Sequence, residues 1–246
     1  MKDLFSNQAK VYATYRPRYP ADLYDFILSH VDKRNAAWDC ATGNGQTATE
    51  LAKYFKQVFA TDISQKQINQ ATRAENIFYS LQPAEHTHFE NDSFDLITVS
   101  QALHWLDTGK FYSEAKRVAR PGAMIAVWMY SLASITAPVD ELINKKFYRD
   151  TLGSFWDYNR KHVDDHYATL SFPFTEISTP AFQIELFWTI EELSGYLNSW
   201  SALQKFIAAN QYNPVDELIT EIRPYWEKER MRINFPLYLR MGRIEK

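Results

Sequence analysis

Cysteine is nearly absent: Cys40 stands alone in 246 residues, so no disulfide can form within the chain and a reducing compartment is its natural setting. Long apolar runs are missing too. The longest, Ala123 to Tyr130, is far too short to cross a bilayer, and Met1-Lys2-Asp3 leads into polar sequence rather than an apolar signal core. Neither sign of charge dominates, with 27 Lys and Arg against 30 Asp and Glu. That argues against a broad basic face for nucleic acid and against an acidic disordered tail. There is no H-E-x-x-H motif, Cys/His cluster, internal repeat, low-complexity tract or glycine-rich linker. His86 and His88, two apart in polar sequence, read as loop residues rather than metal ligands. The expectation is a soluble, cytoplasmic protein with no metal, membrane or nucleic-acid partner.

What is present is an alternation of short apolar runs and amphipathic stretches. Strands are predicted at about 36–40, 57–61, 77–81, 94–100 and 123–128, with helices at 21–30, 47–55, from Ser64 to about Glu75, and 111–118. Phe94, Leu96, Ile97 and Val99 make the fourth strand nearly continuous in apolar side chains, as in a strand buried on both faces. This order predicts an α/β, doubly wound, mostly parallel sheet in one domain spanning 1–246. After Tyr130 the pattern changes. Helices are predicted at 138–158, 189–207 and 214–230, and strands at 182–187 and 233–241. Pro236 means that the last strand is not paired along its whole length. The late helices, within 131–170 and 189–228, are expected to cap the carboxyl ends of the strands, where open α/β sheets bind ligands.

The first strand runs into Gly43-Asn44-Gly45, and the second ends on Asp62, 17 residues after Gly45. Glycines allow close backbone approach, and a carboxylate there can accept hydrogen bonds from a ribose diol. A dinucleotide fingerprint fits this spacing. Asp39 speaks against it, because a carboxylate at the end of the first strand repels a pyrophosphate. It suits a cofactor that carries an ammonium group and no phosphate, such as S-adenosylmethionine.

Asp39-Cys40-Ala41-Thr42-Gly43-Asn44-Gly45-Gln46 resembles motif I of the class I, seven-strand S-adenosylmethionine-dependent methyltransferases. Asp62 matches their ribose-binding acid and Ala84-Glu85 their adenine-contacting pair. The stretch from Phe94 to Trp105 is similar to the trans-aconitate methyltransferase-like, type 11 subgroup. So are Tyr12 to Pro20, Gly195 to Ser201 and Phe235 to Arg243. The resemblance implies a Rossmann-like sheet of order 3-2-1-4-5-7-6 with its last strand inserted antiparallel. It implies a cofactor site drawn from Tyr12, Arg16, Asp39, Ala41, Thr42, Gly43, Gly45, Asp62, Ile63, Ala84, Glu85, Ser100 and Gln101. Tyr12 and Arg16 are placed there by an aromatic-rich arm that can fold back over the pocket, and Asp39 is expected to act indirectly, by orienting the turn. The first glycine of the usual pattern is replaced by Ala41, which is accommodated if that residue keeps ordinary backbone angles.

The implied reaction is methyl transfer to a small molecule. His104 is the candidate base, and it can equally wall the pocket with Trp105. With no other base in sight, a nucleophile already ionised near neutral pH is favoured, and O-methylation of a carboxylate is the expectation. Methylation of nitrogen, carbon or a macromolecule, and noncatalytic cofactor binding, are the alternatives. His104, Trp105, Tyr130, Trp156 and Trp200 are the candidate substrate residues. Phe155 and Trp188 are further aromatic candidates, and Arg16, Arg18, Arg160, Lys161 and Arg232 are the available cations.

Overall fold

The computed structural model describes residues 15–246. Tyr12 lies outside them. Among the described residues eight strands form one sheet: β1 (Ala36–Cys40), β2 (Gln57–Asp62), β3 (Ile77–Leu81), β4 (Phe94–Ser100), β5 (Ala119–Tyr130), β6 (Thr175–Glu176), β7 (Phe182–Trp188) and β8 (Met231–Arg243). Their order is β3-β2-β1-β4-β5-β8-β6, with β7 also paired to β8. The first five run parallel, and β8 lies antiparallel between β5 and β7. This is the expected 3-2-1-4-5-7-6 arrangement, with the two-residue β6 added beside the far end of β8.

The central strands are apolar because both faces of the sheet are covered. Every residue of β1 is buried, and alternation sends its side chains to two cores. Ala36, Trp38 and Cys40 join Phe94 and Phe111 on one side, and Ala37 joins Leu23, Ile27 and Trp128 on the other. Helix α1 (Ala21–Ser29) and helix α2 (Gln46–Leu51) belong to the second core, while α4 (Thr108–Val118) belongs to the first. Pro236 falls just past the last β5–β8 rung, Tyr130 to Leu237. Its carbonyl still accepts from Ser131 N at 3.0 Å, so only the bond that needs a proline N–H is missing.

Five predicted helices are shorter or more broken than expected, α2 among them, which ends at Leu51 rather than Phe55. The one capped by Ser64, α3 (Gln65–Asn69), stops well before Glu75, where Arg73 takes the Ile68 carbonyl and the Tyr79 hydroxyl takes that of Thr72. The 138–158 segment is α5 (Ala137–Asp140) running into a π-helix, Glu141–Thr151, and a short 3₁₀ turn, Gly153–Phe155. A separate α6 (Arg160–Asp164) follows. The 189–207 helix is two, α7 (Ile190–Asn198) and α8 (Ser201–Asn210), broken at Trp200, whose backbone is extended. The last, α9 (Val215–Ile222), gives way to a 3₁₀ turn containing Pro224, which has no N–H to continue the helix.

Candidate functional site

The turn after β1 is tied to β2 by its own backbone and by one carboxylate. Thr42 N donates to Thr61 O at 2.9 Å. Asp62 Oδ2 accepts from Gly43 N and Asp62 Oδ1 from Ser64 N, both at 2.8 Å. Ala41 departs from the expectation of ordinary angles: its φ is +52°, in the left-handed region, because the chain must reverse there to carry Thr42 back to Thr61. Gly45, at φ +80°, is also left-handed, and a Cβ there would lie 2.1 Å from the Tyr79 hydroxyl, which would have to move.

Asp39 is fully buried beneath this turn. Its oxygens accept from the hydroxyls of Thr42, at 2.5 Å, and Thr98, at 3.0 Å. Burial is the main effect on its carboxyl, pushing the pKa up to about 6 against the opposing pull of those hydroxyls.

Above the turn opens a cleft with about 840 Å³ of empty space continuous with solvent. Ala41, Thr42, Gly43, Asp62, Ile63, Ser100 and Gln101 line it, joined by Arg16, Trp105 and Tyr130. Gln67 also faces it. Its Oε1 is buried with no hydrogen-bond partner among the described residues, 4.0 Å from where a Cβ on Gly43 would sit. A buried acceptor without a donor asks for a ligand that brings one.

A second pocket shares Arg16, Gln101, Trp105 and Tyr130 with the cleft. Gln101 shapes this partition. Its φ is +53°, and its side-chain amide bonds both to the N–H of Tyr130, at 2.8 Å, and to its carbonyl, at 3.2 Å, standing in for a strand residue beyond the end of β4. Arg16 Nη1 donates to the Tyr130 hydroxyl at 2.9 Å, and Nη2 to Ser199 O, the carbonyl at the α7–α8 break, at 3.3 Å. The far wall is Trp156, Tyr196 and Trp200, with the two indoles 5.6 Å apart. Arg160 and His104 complete it, and Asp157 there is neutralised by Lys205 at 2.6 Å. Burial, helped by Arg160 and His162, drives the His104 pKa down to about 3.

A methyltransferase domain matches residues 38–127 of the chain. A protein of Dictyostelium discoideum named as a methyltransferase is 35% identical across 99% of this chain and 95% of its own length. A solved structure from Anaeromyxobacter dehalogenans, described as a type II methyltransferase, superposes with a TM-score of 0.86 at 35% identity, covering 94% of this chain and 99% of that one. A methyltransferase of Aspergillus candidus is 24% identical over 92% of this chain and 80% of its own length. The chain belongs to the methyltransferase family.

Within this methyltransferase, several residues singled out in the sequence stand away from the cleft lining. Gly45 faces Tyr79, Ala84 is buried in the core around Trp38, and Glu85 accepts from Asp107 N at 3.1 Å. Phe155 packs on Phe206, and Trp188 on Tyr196 and Phe235, so both are packing rather than pocket. Among the candidate cations, Arg16 and Arg160 reach the second pocket. Arg18 is exposed, Lys161 is bonded to the Tyr158 hydroxyl, and Arg232 on β8 is paired diagonally with Glu185 on β7. Sequence reading missed Gln67, an ordinary polar residue of a short helix. It also missed Tyr167, whose hydroxyl lies 2.9 Å from His104 Nδ1 and whose position depends on a left-handed turn. No helix of the described residues is long and apolar enough to cross a membrane.

Proposed function

We propose that the protein transfers a methyl group from S-adenosylmethionine to a carboxylate oxygen of a small organic acid. The observation that carries this reading is the shared partition. Arg16, Gln101, Trp105 and Tyr130 wall both cavities, so ligands in the two would meet across it. The cleft lining fits the cofactor: the Asp62 carboxylate suits the ribose hydroxyls, and Gln67 Oε1 has no donor among the described residues. Arg16, on the partition, suits the methionine carboxylate, and Asp39 acts through Thr42 on the turn. When bound, the cofactor supplies a methyl group made electrophilic by a sulfonium.

The chain's own residues do the rest by position. The indoles of Trp156 and Trp200 exclude water from the acceptor, which raises the reactivity of an anion, and the partition sets the line of attack. Arg160 supplies positive charge for an acid. His104 is a poor base, since an imidazole with a pKa near 3 has little affinity for a proton, and a carboxylate needs none removed. The aromatic, recessed pocket supports a small molecule over a macromolecule, in keeping with the enzymes of small organic acids that the sequence resembles. The buried Cys40 suits a reducing cytoplasm.

The test is a screen with methyl-labelled S-adenosylmethionine against small carboxylic acids, amines and phenols. Labelled methyl esters are expected. Transfer to amines but not acids would remove the carboxylate assignment and leave a methyltransferase. Cofactor binding without transfer to any class would favour a binding module.

A further inference from the structure

Two consecutive residues after α6, His166 and Tyr167, have φ of +54° and +61°. Left-handed backbone is unfavourable for residues with side chains, and two in a row persist only where neighbours hold them. Here Arg240 Nη1 donates to the carbonyls of Tyr167, at 3.2 Å, and Leu170, at 2.7 Å. The His166 ring stacks on Tyr238 with centroids 3.9 Å apart. What this strained turn delivers is the Tyr167 ring, 1% exposed, with its hydroxyl 2.9 Å from Nδ1 of His104. Among the described residues, Nδ1 is the only hydrogen-bond partner of that hydroxyl. A buried O–H left without an acceptor is costly, so its proton goes to Nδ1. A neutral imidazole that accepts on Nδ1 carries its own proton on Nε2.

His104 lines the second pocket together with Arg160. Arg160 is braced by its Nε, which donates to the Tyr148 hydroxyl at 2.8 Å and lies 3.5 Å from Asp164, and by the Trp156 ring 4.9 Å below. No described residue accepts a hydrogen bond from its Nη1 or Nη2. The pocket thus presents a guanidinium edge and an imidazole, and the one acid among its described residues, Asp157, is already paired with Lys205.

We propose that Tyr167 fixes His104 as an Nε2–H donor, and that this donor and Arg160 together form the receptor for an anionic oxygen of an aromatic acid. Tyr167 is a positioning residue, acting only through His104. The proposal rests on the assignment of the second pocket to the acceptor.

Two measurements test it on the full chain. Nitrogen-15 NMR of the imidazoles should show His104 protonated on Nε2 in the wild type and a mixture of tautomers in Tyr167→Phe. An Nδ1-protonated ring, or a spectrum indifferent to the Tyr167→Phe change, overturns the proposal. Benzoate binding, followed by tryptophan fluorescence, supplies the second readout and does not depend on how Tyr167→Phe folds. The His104→Gln variant keeps an N–H near the Nε2 position and should bind benzoate within about threefold of wild type. The His104→Asn variant, which keeps only a mimic of Nδ1, should bind at least about tenfold more weakly. Equal losses in both variants, no loss in either, or no benzoate binding by the wild type overturns it. Failure of S-adenosylmethionine to bind, read by calorimetry, would instead sink the cofactor assignment and leave both readouts intact.

Discussion

The Thr42 hydroxyl donates to Asp39 Oδ2 at 2.5 Å, which hangs the cofactor turn on a carboxylate with no access to water. Burial raises that carboxyl from its ordinary 3.8 to about 6, so the folded protein binds the proton more tightly than the unfolded chain does. The stability contributed by the protonated form is present below pH 3.8 and is lost as pH rises through 6. The Asp39→Asn variant removes this loss, because the Thr42 and Thr98 hydroxyls can turn to suit an amide. It should match wild type near pH 4 and exceed it above pH 6 by up to about 3 kcal/mol. Urea unfolding across this range checks the sign. A variant less stable at pH 7 would show that the charged form is worth its burial.

Asp62 joins Gly43 to Ser64 and lines the cleft. The Asp62→Ala variant should weaken S-adenosylmethionine binding by about 2 kcal/mol or more, roughly thirtyfold. Asp62→Asn, which keeps one acceptor oxygen, should lose less. Calorimetry giving wild-type affinity for Asp62→Ala would refute the ribose assignment.

Ala41 stands in the left-handed region at φ +52°. Glycine occupies that region without the steric cost of a Cβ, although it also loosens the unfolded chain. The net gain for Ala41→Gly should be about 0.5–1 kcal/mol, a rise in Tm of roughly 1–4 °C. An unchanged or lower Tm would mean that the alanine methyl makes compensating contacts.

Gly195 lies inside α7, where alanine ordinarily stabilises a helix by about 1 kcal/mol. A Cβ here would come within 2.5 Å of the Tyr15 ring, next to Arg16. Gly195→Ala should therefore displace the segment that brings Arg16 to the partition. Cofactor affinity should fall about fivefold, roughly 1 kcal/mol, with the fold retained. If calorimetry shows no change, the segment before α1 only packs.

The parts of the fold that could be read from the sequence are those set by local pattern. β1 and β4 announce themselves as short runs buried on both faces, and β8 as a late strand whose proline marks where pairing lapses. The glycine turn and Asp62 were legible because their chemistry follows from spacing along one βαβ unit. Longer-range features were not. Whether Arg160 or Arg232 meets the pocket depends on which face of its element points inward, and charge alone carries no such information. Tyr167 reaches His104 only through two left-handed residues and an arginine on β8. The π-helix at Glu141–Thr151 has the periodicity of an ordinary amphipathic helix until it is packed.

Cys40 ends β1, between β2 and β4, with no exposed surface and a thiol whose ionisation burial strongly suppresses. A thiol reagent can meet it only after the layer packed on its face of the sheet, α4 included, has lifted, so alkylation becomes a clock for the opening of the middle of the sheet on that side. With one sulfhydryl in the chain, mass spectrometry counts a single event and nothing competes with it. Saturating S-adenosylmethionine should slow that clock in proportion to its binding, through the stabilisation any ligand confers on the form it prefers. Labelling that runs at the same rate with and without it would mean that the centre of the sheet opens without disturbing the turn above.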